Sequence, residues 1–264
     1  MITVLTATYN RAYTLGRLYE SLEKQTNKSF EWVVVDDGSQ DETLSLLEEF
    51  QQNSSFSIKI LQQENAGKHI AINAGVPAGT GDWVLLVDSD DALTSNAIEV
   101  INEDLQNLDT HGIAGLCYRR ADLAGNIIGA VFSDDDTVAS KMTPTEAANH
   151  FLGDLAYVFK KSALLKHPFP RFKDEIFVPE LLIWNRISDE GEILYFYSKY
   201  IYLCEYLPDG YSANFFNNLK RNPQGFGLFY KEQVLREAGA VRKLKCIVRY
   251  FQCVVFRVSN RRKI

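Results

Sequence analysis

The chain has 264 residues, of which 46% are hydrophobic and 12% aromatic, so it can bury a sizeable core and is neither fibrous nor wholly disordered. With 28 Lys and Arg against 34 Asp and Glu, its net charge is −6. Eight basic residues and no acidic residue follow position 241, which leaves −14 on residues 1–241. A body this acidic binds nucleic-acid phosphates poorly, so no nucleic-acid partner is expected.

The cysteines and the apolar runs indicate a cellular compartment. The four cysteines are scattered and form no CxxC pair, which is typical of a protein kept in a reducing environment. No apolar run reaches the roughly 18 residues of a membrane span, and the N-terminus becomes polar too early for a signal peptide. The sequence therefore predicts a cytoplasmic protein, with the basic tail a candidate for contact with the inner face of the membrane.

The first part of the chain alternates between short apolar runs and amphipathic segments. The runs predict four strands, at 2–6, 32–35, 59–61 and 83–87. The predicted helices are one capped by Asn10, one begun by a capping box of Ser39 and Glu42, a short one at 68–74, and one capped by Ser95. Strands that alternate with helices imply a doubly wound, mostly parallel sheet with right-handed crossovers.

The second part of the chain is less regular. Strands at 114–119 and 126–132 predict a hairpin, and a helix is predicted to begin at Thr143 with Pro144 in its first turn. Further strands at 155–159 and 193–203, the latter rich in aromatic residues typical of a core, enclose a helix at 178–187. Because no linker or repeat interrupts the sequence, a single α/β domain with a C-terminal helical extension is predicted.

Polar side chains follow three of the predicted strands, at 6–10, 36–39 and 88–91. Each cluster alone is typical of a turn, but the carboxyl ends of parallel strands meet at one edge of the sheet, where ligands bind. Asp88, Asp90 and Asp91 would repel one another unless a divalent cation offset their charge, and oxygen ligands favour Mg²⁺ or Mn²⁺. Since Mg²⁺ is usually shared with substrate phosphates, a phosphate-bearing substrate is expected. The alternative is that Asp91 caps a turn while the other two carboxylates are solvated.

Four motifs in order, ATYNR (7–11), VDDGS (35–39), NAGK (65–68) and VDSDD (87–91), resemble the pattern of family 2 glycosyltransferases. The resemblance implies a GT-A type fold and transfer of a sugar from a nucleoside diphosphate donor, with inversion at the anomeric carbon and with Mn²⁺ or Mg²⁺ as cofactor. It also implies that residues 1–110 form the nucleotide-sugar-binding half of the domain and that 111–241 form the acceptor-binding and catalytic half. The charge pattern adds a basic amphipathic tail at 242–264.

The resemblance implies a role for each matching residue. The donor-binding residues would be Ala7, Thr8, Tyr9, Asp37, Lys68, Asp88 and Ser89. Among them, 7–9 and Asp37 would hold the base, which could be uracil, and Asp88 would contact the ribose or the donor sugar. Asp90 would hold the metal against the diphosphate, with Asp91 as the alternative ligand. Lys68 would offset the diphosphate charge, unless it is only a solvated lysine at a helix start.

Glu180 is the candidate catalytic base. The family places an Asp before a helix that continues to Trp and Arg, and the stretch 178–186 matches with Glu180 at that position, where it would remove the proton of the acceptor hydroxyl. Glu is one methylene longer than Asp, so Asp174 and Glu175 remain substitutes. A purely structural alternative is that Pro179 and Glu180 suit the first turn and the dipole of the helix.

The tail from 242 to 260 is amphipathic if helical, with a polar stripe of Arg242, Lys245, Arg249 and Gln252. Such a helix can lie in a membrane interface or dock on the domain or on a second subunit, so an oligomer is one alternative. The leading hypothesis is a non-processive, inverting transferase that moves a sugar from a UDP-sugar or a similar donor to a saccharide or lipid-linked acceptor in surface polysaccharide or related glycan synthesis. The alternatives are a metal-dependent nucleotidyltransferase or other phosphotransfer enzyme, and a non-catalytic nucleotide-sugar-binding protein on the same fold.

Overall fold

The computed structural model describes residues 1–132, 138–205 and 214–261. The strands are β1 (Ile2–Thr8), β2 (Phe30–Asp36), β3 (Ser57–Gln62), β4 (Trp83–Leu86), β5 (Ala92–Leu93), β6 (Ile113–Ala121), β7 (Ala139–Met142), β8 (Leu155–Lys160) and β9 (Glu192–Leu203). The helices are α1 (Ala12–Glu23), α2 (Thr43–Asn53), α3 (Lys68–Ala78), α4 (Ala97–Asn107), α5 (Pro144–Phe151), α6 (Lys161–Lys166), α7 (Leu181–Ser188), α8 (Phe215–Arg221), α9 (Pro223–Arg236) and α10 (Ala240–Arg261).

One sheet of nine strands forms the centre of the molecule, in the order β3-β2-β1-β4-β8-β6-β9-β5, with β7 also paired to β9. The pairs β3–β2, β2–β1 and β1–β4 are parallel, as is β6–β9, whereas β8 runs antiparallel to both β4 and β6. The fold is therefore mixed α/β with a mostly parallel central sheet, as the alternation of strands and helices predicted.

The central strands are apolar throughout because helices cover both faces of the sheet. Every residue of β2 is buried, and so is every residue of β1 except Ala7. Leu18 of α1 and Ile98 of α4 belong to the core on one face, and Ile72 of α3 and Ile183 of α7 belong to the core on the other. Parallel strands covered on both faces lose the alternation of polar and apolar residues, which explains their continuous apolar runs.

Three predicted helix caps are wrong. The residues at the N-cap positions of α1, α2 and α4 are Arg11, Glu42 and Asn96, and none of them makes a side-chain cap. Asn10 and Ser39 instead join two loops, since the Asn10 N–H donates to Ser39 Oγ at 2.8 Å and the Gln40 N–H donates to Asn10 Oδ1 at 2.8 Å. These contacts between loops replace the local caps that the sequence favoured.

The predicted hairpin strand at 126–132 is also wrong, because only an isolated bridge joins Ala121 to Ile127. The Arg119 guanidinium binds carbonyls of this segment, donating to Ile128 O at 2.8 Å and to Ala130 O at 2.7 Å. Those bonds satisfy backbone groups that a strand partner would otherwise bind. The predicted helix start at Thr143 is confirmed, since Thr143 is the N-cap residue of α5 and Pro144 lies in the first turn, and the structure adds a capping box completed by Glu146.

Helix α10 follows α9 and packs against it, burying Cys246 and Cys253. The tail is thus a helix that docks on the domain along one side, which is one of the arrangements that the sequence left open. Among the described residues, no helix combines the length and the apolar character that crossing a membrane requires.

Candidate active site

A cleft of about 750 Å³ lies where the loops after β1, β2 and β4 meet, at the carboxyl ends of these parallel strands. The ten residues predicted to bind the donor, to hold the metal or, as first choice, to act as the base all line it: Ala7, Thr8, Tyr9, Asp37, Lys68, Asp88, Ser89, Asp90, Asp91 and Glu180. Side chains from both parts of the chain therefore face one space.

The end of β1 presents a hydroxyl group that has no partner. Thr8 is 2% exposed, and its Oγ1 atom makes no hydrogen bond to any residue that the structure describes. Its neighbour Tyr9 is 44% exposed at the cleft. Because buried polar atoms are nearly always hydrogen-bonded, an unpartnered hydroxyl at a cleft wall is typical of a ligand-binding position.

Asp37 fixes the loop on the opposite wall. Its Oδ1 atom accepts from the Ala66 N–H at 2.9 Å and from the Gln63 side chain at 2.6 Å, and its Oδ2 atom accepts from the Gly67 N–H at 2.8 Å. These bonds hold the start of α3, and with it Lys68, at the edge of the cleft.

Lys68 joins two segments of the chain that are far apart in sequence. Its ammonium group forms ion pairs with Asp88, which follows β4, and with Glu180 at 2.7 Å. Burial raises the pKa of Asp88, but Lys68 and Arg120 outweigh it and lower that pKa to about 2. Lys68 is therefore a partner of the predicted base and of a predicted donor-binding carboxylate, rather than a solvated lysine.

Arg120 of β6 lies behind the acidic motif. Its guanidinium is 3.7 Å from Asp88 and 3.6 Å from Asp91, and it stacks on the Tyr202 ring at 4.0 Å. The Tyr202 hydroxyl donates to Asp91 at 2.8 Å and accepts from the Asp88 N–H at 2.9 Å. Burial and the nearby Asp88 charge raise the pKa of Asp91 to about 7. Asp91 is thus bound by Arg120 and Tyr202, whereas Asp90 is not.

Asp90 is a suitable ligand for the predicted cation. It is half-buried, burial and the Asp88 charge raise its pKa, and among the described residues no Lys or Arg forms a salt bridge with it. Within residues 1–132, 138–205 and 214–261, no group of three His, Cys, Asp or Glu side chains is placed to hold a metal ion alone. Mg²⁺ needs only one or two protein carboxylates when phosphates complete its coordination, so these oxygen donors suit that ion.

Glu180 is the N-cap residue of α7, directly after Pro179, and its carboxylate meets Lys68 in the cleft. Of the two substitutes, Asp174 is exposed and lies outside the cleft lining. Glu175 is buried away from the cleft and accepts from the Gly225 N–H at 2.8 Å in the first turn of α9. Of these three carboxylates, only Glu180 lines the cleft, so the geometry favours it.

The comparison with known proteins decides the family. The family model described as glycosyl transferase family 2 matches residues 3–147, more than half of the chain. The chain belongs to glycosyl transferase family 2. It is also 30% identical over 213 residues to the glycosyltransferase GlyG of Streptococcus pneumoniae serotype 4, a match that covers 78% of this chain and 69% of GlyG.

A second curated relative of this glycosyltransferase is the GalNAc(5)-diNAcBac-PP-undecaprenol beta-1,3-glucosyltransferase of Campylobacter jejuni. The two are 27% identical over 193 residues, which is 72% of this chain. The chain spans only 60% of that relative's length.

Solved structures show the same fold. The S. aureus TarS fragment 1–349 in complex with UDP-GlcNAc superposes with a TM-score of 0.69 at 21% identity, covering 98% of this chain and 72% of that fragment. The mannosyltransferase PcManGT of Pyrobaculum calidifontis, in complex with GDP-Man and Mn²⁺, superposes with a TM-score of 0.63 at 16% identity, covering 98% and 74%. These likenesses confirm the predicted GT-A type fold.

The sequence missed two features of this family 2 glycosyltransferase. Arg120 and Tyr202 are the penultimate residues of β6 and β9, two strands that carry none of the four motifs. A charged residue in a buried strand was the available signal for Arg120. The other missed feature is an aromatic wall of the cleft, formed by Phe226, Phe229 and Tyr230 of α9.

Proposed function

We propose that this glycosyltransferase moves one sugar from a UDP-sugar to a saccharide or lipid-linked acceptor, with inversion at the anomeric carbon. The observation that carries the proposal is that every predicted donor-binding residue and the predicted base line a single cleft. The UDP-GlcNAc complex of TarS, whose fold is the same, supports a nucleotide-sugar donor.

The donor would bind along the ends of β1, β2 and β4. Residues 7–9 and Asp37 would hold the base, and Asp88 and Ser89 would contact the ribose or the sugar. Asp90 would hold Mn²⁺ or Mg²⁺, with Asp91 as the alternative ligand; the Mn²⁺ in the PcManGT complex supports this cofactor. When bound, the cation would offset the diphosphate charge that builds up as the nucleotide leaves.

Glu180 would act as the general base. The acceptor hydroxyl gives its proton to the Glu180 carboxylate and attacks the anomeric carbon from the side opposite the diphosphate. The new glycosidic C–O bond forms as the bond to the diphosphate oxygen breaks, and the nucleoside diphosphate leaves with that electron pair. Attack from the opposite side inverts the anomeric carbon. Lys68 would position Glu180 through their 2.7 Å ion pair.

The acceptor would lie against the aromatic wall near Glu180. Rings such as those of Phe229 and Tyr230 present flat apolar faces of the kind that pack on sugars. The relative from Campylobacter jejuni is named for an undecaprenol-diphosphate-linked saccharide, which supports a lipid-linked acceptor and a place in surface glycan synthesis. All four cysteines are free thiols, which supports a cytoplasmic site of action.

The test is acceptor-dependent release of UDP, followed with a panel of UDP-sugars and lipid-linked saccharides. Glu180→Gln should bind UDP with unchanged affinity by titration calorimetry and lower kcat by about a hundredfold or more. Asp174→Asn is the matched control, since it alters a neighbouring carboxyl outside the cleft, and it should keep normal kcat. Near-normal turnover of Glu180→Gln would overturn the role of this base. Release of inorganic phosphate from the donor instead of UDP would support the phosphotransfer alternative.

A further inference from the structure

Helix α10 has an inner face that fixes it to the domain. Cys246 and Cys253 are buried on that face, and the Arg249 guanidinium stacks over the Phe215 ring of α8 at 5.3 Å. Near its end, the Asn260 side chain donates to the carbonyl of Lys220 at 3.0 Å. Contacts along the whole helix therefore determine which of its residues face outward.

The outward side of α10, here called the outer face, is apolar along its whole length. Its residues are 37% to 69% exposed and are Val241, Leu244, Ile247, Val248, Phe251, Val254, Val255 and Val258. At about 100° per residue they cover an arc of roughly 140°, as wide as the stripe with which a helix usually packs on a core. Among the described residues nothing covers this arc. Single exposed apolar residues are ordinary, but a contiguous patch of this kind marks an interaction site.

Basic residues border the outer face. Lys243, which is half-buried, and Lys245, which is exposed, fall on its two opposite borders, and Arg242 and Arg257 are exposed elsewhere on this helix. No acidic residue occurs from 242 to the end of the chain, although the remainder is acidic. The surface therefore combines an apolar strip with positive charge on both sides.

The charge decides between the two partners that fit such a face, a bilayer and a second copy of the chain. Two outer faces packed together would bring the basic borders of both helices close, with no acidic residue on either helix to pair with them. Ile247 and Val254 also broaden the strip beyond the two positions per heptad that a coiled-coil seam uses. A bilayer with anionic headgroups satisfies both properties, since it accepts apolar side chains and attracts the lysines.

We propose that α10 lies along an anionic lipid surface, with its outer face among the acyl chains and Lys243 and Lys245 among the headgroups. A helix of 22 residues would then contact the surface over about 33 Å. This contact goes beyond the proposed sugar transfer and does not depend on it. If the acceptor is lipid-linked, the contact keeps the domain next to it.

The first test is sedimentation of the full chain with vesicles of phosphatidylcholine alone or mixed with phosphatidylglycerol. Wild type should bind the mixed vesicles and bind the neutral ones at least tenfold less. The double variant Phe251→Ser/Val255→Ser should lose at least tenfold in affinity for the mixed vesicles. Its matched control is Leu123→Ser/Leu165→Ser, two equally apolar exposed residues away from α10, which should bind like wild type.

The second test isolates the charge. Lys243→Gln/Lys245→Gln should weaken binding to mixed vesicles by about thirtyfold, because each lysine near an anionic surface contributes a factor of about five. The control Lys24→Gln/Lys59→Gln removes two exposed lysines elsewhere and should change binding less than twofold. Equal binding of wild type to both vesicle types would overturn the proposal.

Sedimentation equilibrium without lipid tests the alternative that the outer face binds a second copy of the chain. The proposal predicts a monomer at micromolar concentration, and a dimer that Phe251→Ser/Val255→Ser dissociates would overturn it in favour of a second copy. UDP binding by the same samples, measured in solution, reports on the cleft separately. Loss of vesicle binding with normal UDP binding contradicts only the membrane contact, whereas the reverse contradicts only the proposed donor site.

Discussion

Gly67 allows α3 to approach the segment that precedes Glu180. Its φ angle is +92°, and a Cβ atom added to it would lie 1.9 Å from the carbonyl oxygen of Ile176 and 2.6 Å from the carbonyl carbon. The obstacle is backbone, which cannot rotate away as a side chain would, so Gly67→Ala must separate the two segments by about 1 Å. Lys68 and Glu180, the ion pair that joins them, would move apart.

The expected cost of Gly67→Ala has two parts. Gly67 combines its positive φ with a ψ angle of 153°, a region essentially restricted to glycine, and an alanine there costs about 1–3 kcal/mol. The overlap with Ile176 adds about 1–3 kcal/mol, as in other overpacked sites. The variant should therefore be destabilised by about 2–6 kcal/mol. A 1 Å displacement beside the reacting groups should also lower kcat by about a hundredfold.

Two glycines serve as matched controls. Gly112 has a φ angle of +76° and nothing within 4 Å of an added Cβ atom, so Gly112→Ala should lose only the cost of the backbone angle, about 1–2 kcal/mol. Gly16, within α1, also has open space around it, and Gly16→Ala should stabilise the protein by about 0.5–1 kcal/mol. Urea unfolding followed by tryptophan fluorescence measures all three. The reasoning is refuted if Gly67→Ala is no less stable than Gly112→Ala and retains normal transfer.

Three further changes test other parts of the structure. Arg120→Met leaves the Asp88 and Asp91 carboxylates without their shared cation and should lower the free energy of unfolding by about 3 kcal/mol, and a loss under 1 kcal/mol in urea would contradict the pairing. Burial raises the pKa of Glu31, but the hydrogen bonds that its carboxylate accepts outweigh burial and lower this pKa. The ionised carboxylate therefore stabilises the folded protein fully above its ordinary pKa of 4.5, and this stabilisation is lost as the pH falls through the lowered pKa. Glu31→Gln should thus lower the free energy of unfolding by about 1–3 kcal/mol at pH 7. If the difference in unfolding free energy between the variant and wild type does not shrink in acid, Glu31 does not stabilise the protein in this way. Arg119→Met should speed hydrogen exchange at 126–132, since Arg119 donates to carbonyls there; unchanged exchange would show that these bonds are dispensable.

The parallel half of the fold was predictable because its signals are local. A strand such as β2, buried on both faces, gives a continuous apolar run, and α1 shows the helical spacing of its buried leucines. The N-caps of α1 and α2 were not predictable, because Asn10 and Ser39 bond to each other's loops across a distance in sequence. A polar residue before a helix can serve either purpose, and only the folded chain decides between them.

The candidate site, like the fold, has a part that was predictable from the sequence and a part that was not. Asp37 and the acidic motif follow predicted strands directly, so their convergence at one sheet edge could be inferred from topology. The position of Arg120 beneath that motif depends on how β6 and β9 join the sheet, through pairings far apart in sequence and a register with several shifts. Sequence periodicity does not specify such pairings, and for that reason the residue that neutralises Asp88 and Asp91 from behind was missed.

The most direct test of the account is calorimetric titration of the purified chain with UDP, with and without Mn²⁺, in wild type and in Asp90→Asn. UDP should bind the wild-type cleft, and Mn²⁺ should raise its affinity by about tenfold or more, because the cation links the diphosphate to Asp90. In Asp90→Asn this gain should disappear while metal-free affinity stays within about twofold of wild type, since an amide is a much poorer ligand for a divalent cation. Absence of UDP binding to the wild type, or an equal gain from Mn²⁺ in both proteins, would contradict the account.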